Sequence, residues 1–416
     1  MKTWTVGLLS ALMPIALSLF CNAADPAVQG SQSQQTSSIS LVVNLDLAFP
    51  TPNTVSFFVA SGTQLTSEND VYTGGYGIQG GFFGTSRVNS VPSLSAPCLY
   101  VSDSATNDIA SVSLASQQVV GNFSGSQTDD GSANGIGLAV NANYVYASYS
   151  ASNTIGTFSL QSGCGLTFLG DIPAIGLQGG SVTGMAVNGS ILVVAYGDGS
   201  IQSFNVASGI PVPNNDRQNS TGYAVANSCC YFAGPSMPSG VDITQDGKFA
   251  IFGDISATST VEVSSLSSGK LATTVAYPMS AVQGAGVDAG AIRLSPDESL
   301  LYIANSESGT VIGAFFNKTT GKLTHGCNSP TLLGFNFQPW LGSLATRDTT
   351  GTGSVLYVAE FGRDFVEVNH GPASQIGIIS VTSNGSSCTL REATNSPLPL
   401  TFPGALSIGV YPPRPF

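Results

Sequence analysis

The residues best suited to acid–base chemistry are concentrated in one short segment near the carboxyl end of the chain. Residues 360–373 contain four charged side chains and one of the two histidines, namely Glu360, Arg363, Asp364, Glu367 and His370. A histidine titrates near neutrality, so beside carboxylates it can accept or donate a proton. In a reaction at a carbonyl carbon, the base would activate water while Arg363 stabilised the oxyanion. We predict that His370, Glu360 and Arg363 are catalytic; the alternative is a solvated loop whose ion pairs contribute little.

This segment stands out because the chain as a whole carries little charge. Charged residues make up 9% of 416 residues, whereas soluble domains average about 25%. There are 12 Lys and Arg against 24 Asp and Glu, which gives a net charge of −12. The basic residues are scattered rather than clustered, and a nucleic-acid partner requires clustered ones. We therefore expect no nucleic-acid partner, and the 42% hydrophobic content excludes a disordered chain.

One five-residue motif returns six times and ends each time in a polar residue. Counted between second positions, the copies are 46, 47, 58, 51 and 55 residues apart. Repeats of about 40–50 residues with β-branched and aromatic segments are typical of propeller blades. The copies are residues 99–103, 145–149, 192–196, 250–254, 301–305 and 356–360.

Each motif is preceded by a short apolar segment and a turn, and is followed by an alternating strand and a glycine-containing turn. This order predicts a four-stranded antiparallel meander. Segments within 41–60 and 405–411 supply strands for one more blade. A blade that combines strands from both chain ends closes the ring and removes exposed sheet edges. We predict an all-β protein, a seven-bladed β-propeller forming a single domain over residues 39–416. Eight blades is the alternative, because residues 70–91 are poorly patterned.

The last residue of each motif should lie at the mouth of the ring, where the second strand of a blade turns into the third. These residues are Asp103, Tyr149, Tyr196, Asp254, Asn305 and Glu360. We predict that the first five bind a ligand. Their alternative role is turn capping, since Asp and Asn accept hydrogen bonds from nearby backbone N–H groups. No loop has the spacing of a calcium site, so we expect no metal and no cofactor.

A second long segment on the mouth side is the crossover at 211–240. It contains Arg217, a candidate ligand-binding residue, and the adjacent Cys229 and Cys230. Adjacent cysteines could pair with each other, but pairing with distant partners is favoured, and Cys164 is a candidate partner of one. Trp340 begins a predicted inner strand, where it could stack on a sugar or aromatic ligand or pack between blades.

The amino-terminal residues have the features of an export signal. Lys2 precedes an apolar run at 5–20 and small residues near Ala23, which is typical of a cleaved secretory signal peptide over 1–23. Residues 24–38 are predicted to form a flexible lead-in, a segment that precedes the propeller domain. We therefore expect a secreted protein, periplasmic if the source is a Gram-negative bacterium. We also expect it to be monomeric and to have no membrane segment after cleavage.

Six cysteines follow the signal, an even number that favours disulfides in an exported chain. Cys327 and Cys388 occupy similar outer positions in neighbouring blades, so we expect them to be too far apart to bond to each other. Five N-x-S/T sequons would be glycosylation sites in a eukaryotic secretory route. They start at Asn122, Asn188, Asn219, Asn317 and Asn384.

Three short stretches resemble the lactonase-type seven-bladed propeller family, also called the YVTN-repeat family. They are Leu-Tyr-Ile-Ala-Asn at 301–305, the Ser-Pro-Asp turn at 295–297, and Thr-Thr-Gly-Lys-Leu-Thr at 319–324. The resemblance covers nearly the whole chain after the signal. It implies a relative of 6-phosphogluconolactonases and carboxymuconate cyclases, with sugar-acid or dicarboxylate substrates handled by His, Arg and Glu at one mouth. The chain departs from this pattern because its histidines are only His325, expected on an outer strand, and His370.

Three functions follow in order of expectation. The first is a secreted lactonase-like propeller that binds a small ligand, a lactone or carbohydrate-like molecule, or a partner at the central mouth, without assured catalysis. The second is an extracellular lactone hydrolase or cycloisomerase that acts on sugar-acid or muconate-type lactones. The third is a structural or surface interaction propeller that uses a broad exposed patch.

Overall fold

The repeated motif and the alternating segments beside it form 31 strands in the part of the chain that the structure describes. A computed structural model describes residues 41–78, 88–92, 97–126, 136–220, 237–255, 260–278, 289–305, 309–327, 331–332, 339–348, 353–362, 375–400 and 407–411. The strands belong to seven antiparallel sheets, each of which is one blade. The predicted all-β seven-bladed propeller is confirmed, and the eight-bladed alternative is wrong.

The first three blades contain strands β4 to β16. Blade 1 consists of β4 (Val88–Pro92), β5 (Pro97–Asp103), β6 (Asp108–Ser113) and β7 (Gln118–Ser124). Blade 2 consists of β8 (Ile136–Val140), β9 (Tyr144–Tyr149), β10 (Thr154–Leu160) and β11 (Leu166–Pro173), with a 3-10 turn at Ser162–Cys164. Blade 3 consists of β12 (Val182–Asn188), β13 (Ile191–Tyr196), β14 (Ser200–Asn205), and an outer strand in two pieces, β15 (Val212–Pro213) and β16 (Gln218–Asn219).

The next three blades repeat this order. Blade 4 consists of β17 (Met237–Ile243), β18 (Phe249–Ile255), β19 (Thr260–Ser267) and β20 (Lys270–Pro278). Blade 5 consists of β21 (Ala289–Leu294), β22 (Leu300–Asn305), β23 (Thr310–Asn317), β24 (Lys322–Thr324) and β25 (Thr331–Leu332). Blade 6 consists of β26 (Pro339–Asp348), β27 (Gly353–Gly362), β28 (Gln375–Ser383), β29 (Cys388–Glu392) and β30 (Leu398–Pro399).

Blade 7 joins the two ends of the described chain. It consists of β1 (Leu41–Asn44), β2 (Thr54–Ser61), β3 (Gln64–Tyr72) and the innermost strand β31 (Ser407–Val410). β1 and β31 are antiparallel, with Leu41 opposite Val410 and Asn44 opposite Ser407. The innermost strands contact one another in the cyclic order β31, β4, β8, β12, β17, β21, β26 and back to β31. The ring is therefore closed by both chain ends, as predicted, and each innermost strand has a neighbouring blade on both sides.

The core is divided among the junctions between blades. Each motif strand directs alternate side chains to opposite faces. In β27, Leu356 and Val358 pack toward blade 5, whereas Tyr357 and Ala359 pack toward blade 7. Among the described residues there are seven apolar clusters, one at each blade junction. Because both faces of every blade are apolar, each blade depends on two neighbours for burial.

Two disulfides connect neighbouring blades, and they correct the cysteine predictions. Cys98 in β5 bonds to Cys164 in blade 2, so Cys164 does not pair with Cys229 or Cys230. Cys327 bonds to Cys388 with a Cα–Cα distance of 4.4 Å, although we expected these two to be too far apart.

The expectation failed because Cys327 does not lie on the outer strand of blade 5. The backbone N–H of Cys327 donates to the carbonyl oxygen of Gly313 in the middle of β23. A Cβ at Gly326 would lie 2.1 Å from the same oxygen, so glycine is required for the chain to cross there. The chain thus bends back over its own blade and brings Cys327 to the start of β29.

Several predictions concern residues outside the described part of the chain. They are the signal peptide at 1–23, the lead-in at 24–38, Arg363, His370, and Cys229 with Cys230. His325 was expected on an outer strand; it lies directly after the outer strand β24, which ends at Thr324, and it is exposed. Trp340 lies in β26, the innermost strand of blade 6, as expected. Among the described residues, no helix has the length and apolar character needed to cross a bilayer.

Replacing both Cys327 and Cys388 with alanine should lower the free energy of unfolding by about 2–4 kcal/mol, the usual contribution of a disulfide that closes a long loop. Chemical denaturation at pH 7 measures the loss. Thiol labelling of the unreduced wild-type protein is the control, and labelling of either residue would contradict the assigned pair.

Candidate functional site

The six residues that end the motif copies all lie at the mouth end of their second strands, and all are buried. In blades 1, 4 and 6 the residue is an acid, namely Asp103, Asp254 and Glu360, each with 0% exposure. Strand alternation places Glu360 on the same face as Val358, toward the preceding blade. The mouth therefore contains carboxyl groups inserted between blades rather than displayed on a solvated rim.

Asp103 is held by polar groups of blade 7. Its Oδ1 accepts a hydrogen bond from Asn53 Nδ2 at 2.6 Å and one from Thr73 Oγ1 at 2.8 Å. Burial, together with repulsion from Asp108, raises the pKa of Asp103 well above the usual value despite these two bonds. These two partners lie on blade 7, so Asp103 connects two blades, and Asn122 of its own blade donates to its other carboxyl oxygen at 3.5 Å.

Blade 4 places two carboxyl groups on one buried face. Asp254 is the penultimate residue of β18, and Glu262 of β19 lies opposite Phe252, so both acids face blade 3. Ser220, from the end of blade 3, donates to Glu262 Oε1 at 2.5 Å and lies 3.4 Å from Asp254 Oδ2. Burial and then repulsion from Glu262 raise the pKa of Asp254 well above the usual value. Two adjacent buried carboxylates repel each other, so ionisation of both groups of the pair is disfavoured.

The closing residues of blades 2 and 3 are tyrosines with different surroundings. Tyr149 is buried in the apolar cluster between blades 1 and 2. Tyr196 donates from its hydroxyl to Gln202 Oε1 at 3.1 Å. The Arg217 guanidinium donates to the same oxygen at 2.8 Å and lies 5.8 Å from the Tyr196 ring centroid. The structure thus brings together two predicted ligand-binding residues, Tyr196 and Arg217, through a residue that the sequence did not single out.

Asn305 and Glu360 complete the set in blades 5 and 6. Asn305 Nδ2 donates to Thr310 Oγ1 across its own turn at 3.2 Å, which fits the capping alternative. Neither carboxyl oxygen of Glu360 has a hydrogen-bond partner among the described residues. Burial, with a contribution from Glu392 of the same blade, raises the pKa of Glu360 to about 8. Glu360 is therefore protonated at neutral pH and is an available hydrogen-bond donor.

Asp198 lies at the same mouth, but unlike Glu360 its carboxylate accepts several hydrogen bonds. Its carboxylate accepts bonds from Ser200 and from the backbone N–H groups of Gln178 and Gly180. Burial alone would raise the pKa of Asp198, but these bonds outweigh it and hold that pKa below the usual value. Asp198 thus stabilises the crossover between blades 2 and 3.

Sequence reasoning missed Glu262, Ser220 and Asn53, which build the polar junctions. The one available signal was Glu262, an acid at an interior position of an apolar, alternating strand. Arg363 and His370, two of the three predicted catalytic residues, lie outside the described residues. Trp340 lies opposite Phe361 in the register of β26 and β27, next to the Leu341–Glu360 pair. Within the described ranges, no three His, Cys, Asp or Glu side chains are grouped as metal ligands would be.

No protein-family model and no curated protein matches the sequence. Solved structures do match in shape. A protein from Lactobacillus plantarum superposes with a TM-score of 0.63 at 14% identity, covering 89% of this chain and 99% of its own. A candidate 6-phosphogluconolactonase from Bacteroides fragilis gives 0.58 at 16% identity, covering 90% and 99%. The periplasmic gluconolactonase PpgL of Pseudomonas aeruginosa gives 0.54 at 12% identity, covering 86% and 99%.

At such identities the likeness concerns the fold. The chain is a seven-bladed β-propeller, and its fold is similar to that of lactonase-type propellers, as the resemblance of its repeats predicted.

The Glu262→Gln variant should lose less stability than the wild type as pH rises. Burial and repulsion from Glu262 raise the pKa of Asp254 in the folded protein, so Asp254 favours folding when protonated and the wild type weakens as pH rises from about 4. The glutamine keeps an acceptor for Ser220 and removes one buried charge. We expect the variant to gain about 1–3 kcal/mol relative to the wild type at pH 8 and little at pH 4. Urea unfolding at both pH values measures this.

Asp198→Asn is the matched control, with the opposite sign. The pKa of Asp198 is lowered in the folded protein, so its contribution is present above the unfolded pKa and is lost as pH falls. The variant should therefore be destabilised at pH 8. A stabilising effect of Asp198→Asn, or no effect of Glu262→Gln, would contradict the assigned electrostatics.

Proposed function

We propose that this lactonase-like propeller binds a small uncharged ligand, a lactone or a carbohydrate-like molecule, at its central mouth. The observation that carries the proposal is the carboxyl group of Glu360, which is buried at the mouth end of blade 6 and has no hydrogen-bond partner among the described residues. A buried polar group without a partner costs about 1–3 kcal/mol, so a ligand that completes its bonding gains that energy.

The chemistry of the group favours a carbonyl or ether oxygen as its partner. With a pKa raised to about 8, Glu360 is a donor at neutral pH and can bond the exocyclic oxygen of a lactone. Asp103 and Asp254 also have raised pKa values. A net charge of −12 for the chain disfavours an anionic ligand such as a sugar phosphate. The ligand expected on these grounds is neutral.

Lactone hydrolysis is the second candidate function, and Glu360 defines its acid. Protonated Glu360 would donate to the carbonyl oxygen while a base deprotonates a water molecule that attacks the carbonyl carbon. The ring C–O bond then breaks, the ring oxygen takes up a proton, and the product is the open hydroxy acid. His370 as base and Arg363 as oxyanion partner remain predictions from the sequence.

Export of the protein is supported by its covalent structure. Two disulfides join blades 1 to 2 and 5 to 6, and structural disulfides persist mainly in oxidising compartments. One of the similar structures is a periplasmic gluconolactonase. On these grounds we propose an extracellular or periplasmic location.

Binding of gluconolactam, a ring analogue that does not hydrolyse as a lactone does, tests the primary function. We expect calorimetric binding to the wild type that is constant below pH 7 and weakens as pH rises through about 8, where Glu360 loses its proton. Glu360→Gln keeps an amide donor, so its binding should not fall over that pH range. Glu360→Ala should bind at least tenfold more weakly.

Glu298→Gln provides the matched control. Glu298 is buried at the opposite end of the ring, where it accepts a bond from the backbone N–H of Gln245 at 2.6 Å. This variant should bind gluconolactam as the wild type does. The same alkaline loss of binding in Glu360→Gln as in the wild type would reject Glu360 as the ligand contact.

Catalysis is tested separately by following ring opening of aldonolactones, muconolactones and acyl-homoserine lactones at pH 6, where spontaneous hydrolysis is slow. A lactone hydrolase would lose at least a hundredfold in kcat on His370→Ala substitution, with an unchanged circular dichroism spectrum. No turnover of any of these lactones, together with retained gluconolactam binding, would leave the binding function and reject the enzymatic one.

A further inference from the structure

Three of the five N-x-S/T sequons begin where a strand ends, at the end of the ring opposite the mouth. Asn188 is the last residue of β12, Asn317 is the last residue of β23, and Asn384 directly follows β28. The mouth contains the turns between second and third strands, so turns that follow a first or a third strand lie at the other end. The three asparagines therefore occupy comparable places, and they differ in what their side-chain amides contact.

Asn317 is exposed in the hairpin that leads from β23 to β24. Its Oδ1 accepts the backbone N–H groups of Thr319 and Thr320, each at 3.0 Å. Such bonds define an Asx-type turn, and they hold the amide with its oxygen toward the backbone. The Nδ2 of Asn317 donates to no described residue. It is therefore left to the solvent.

The next blade repeats this arrangement at Asn384, which is exposed in the hairpin between β28 and β29. Its Oδ1 accepts the backbone N–H groups of Ser386 at 3.1 Å and Ser387 at 2.8 Å, and both serine hydroxyls bond to the same oxygen. The Nδ2 again donates to no described residue. A Cβ at the intervening Gly385 would meet nothing within 4 Å, so the space around this turn is open.

Asn188 uses its amide in the opposite way, to join two blades. It is half-buried, and its Nδ2 donates to the backbone carbonyl oxygens of Thr244 at 2.7 Å and Gln245 at 3.0 Å, both in blade 4. The corresponding turn of blade 2 makes the same kind of contact, since Asn141 Nδ2 donates to Gly189 O of blade 3 at 3.1 Å. Both amide hydrogens of Asn188 are therefore committed to the junction between blades 3 and 4.

The two remaining sequons differ from these three. Asn122 lies within the outer strand β7, and its Nδ2 donates to Asp108 Oδ1 at 3.3 Å. The sequon that starts at Asn219 includes Thr221, which lies outside the described residues. Among the described sequons, a free amide at a strand-ending turn therefore occurs at the end of the ring opposite the mouth.

We propose that Asn317 and Asn384 are N-glycosylation sites, and that Asn188 is not, in a chain that passes through a eukaryotic secretory route. The donor is an oligosaccharide linked to a polyprenyl diphosphate, which such a route supplies. A bond forms between Nδ2 and the anomeric carbon of the first sugar, the bond from that carbon to the diphosphate oxygen breaks, and Nδ2 loses one proton. At Asn317 and Asn384 the folded chain accommodates the product, because the hydrogen that is lost made no bond. At Asn188 the sugar would break a bond between two blades.

Both sites lie far from the proposed ligand contact. The nine-residue strand β28 runs from Gln375, which is opposite Glu360, to Ser383 beside Asn384. At a rise of about 3.3 Å per residue, Asn384 lies roughly 25–30 Å from Glu360. Glycans on blades 5 and 6 at this end leave Glu360 accessible from the mouth. The modification therefore goes beyond the proposed ligand site and does not depend on it.

The experiment expresses the full chain in yeast behind a yeast secretion leader, so that entry into the secretory route does not depend on residues 1–23. The secreted protein is treated with a glycan-releasing amidase in heavy-oxygen water. This treatment converts each glycosylated asparagine into an isotopically labelled aspartate, which peptide mass spectrometry locates. We expect labelled aspartate at positions 317 and 384 and unmodified asparagine at position 188. The same mapping on chain recovered from the secretory compartments covers protein that is retained in the cell.

Two serine variants form a matched pair at Asn384. Ser386 supplies the sequon hydroxyl, whereas Ser387 lies outside the sequon, although both serines donate to the same Oδ1. Ser386→Ala should therefore lose the glycan at Asn384, and Ser387→Ala should keep it. An unchanged circular dichroism spectrum of both variants shows that the loss does not arise from misfolding.

Each result either supports the assignment or overturns it. Unlabelled asparagine at position 317 or 384 overturns it, because a free amide in an open turn would then not be sufficient. A glycan at position 188 of the secreted protein also overturns it, since the bonds of Asn188 to blade 4 would then not exclude the modification. Loss of the glycan in both serine variants would assign the effect to the turn rather than to the sequon, which overturns the assignment as well.

Discussion

Apolar character on both faces of every blade is the constraint on which the rest of this structure depends. A sheet of this kind is stable only between two others, and seven such sheets satisfy one another only when the ring is complete. The pairing of β1 with β31 completes it, and both strands contribute to the same apolar junction with blade 6. Each buried aliphatic side chain contributes about 1.5–3 kcal/mol, so the seven junctions outweigh what any single turn or ion pair adds.

The same geometry accounts for the unusual acids at the mouth. A motif strand buries its alternate residues against the preceding blade, and the closing residue continues that face. Because its strand neighbours on that face are apolar and buried, an acid in this position is also buried in the junction, and its carboxyl group is desolvated. Where the adjoining blade offers donors, as Asn53 and Thr73 do for Asp103, the acid joins the blades. Where the described residues offer none, as at Glu360, burial raises the pKa of the carboxyl to about 8, and this is the group through which we propose that a ligand binds.

The disulfides show how far blade geometry departs from ideal repetition. Reasoning from equivalent positions in neighbouring blades placed Cys327 and Cys388 too far apart. The structure brings them together because the chain after β24 folds back across β23 through Gly326. Such departures from the repeated blade geometry depend on close contacts between backbone segments. The only sign of such a contact in the sequence is the glycine that it requires. The loop between β1 and β2 likewise depends on the approach of Gly77 to Asp46.

The sequence by itself determined the fold, because a motif that repeats at blade-like spacing and alternates in polarity can be buried only in a ring of sheets. It also located Asp103, Asp254 and Glu360 at one end of that ring, since strand order and strand period are local properties. Only the tertiary structure decided which of these acids has a partner, because their partners lie on other blades or on distant strands. It also decided the cysteine pairs and whether the amide of a sequon asparagine is free or bonded to another blade. These depend on distances between segments that are far apart in the chain, and no local pattern records such distances.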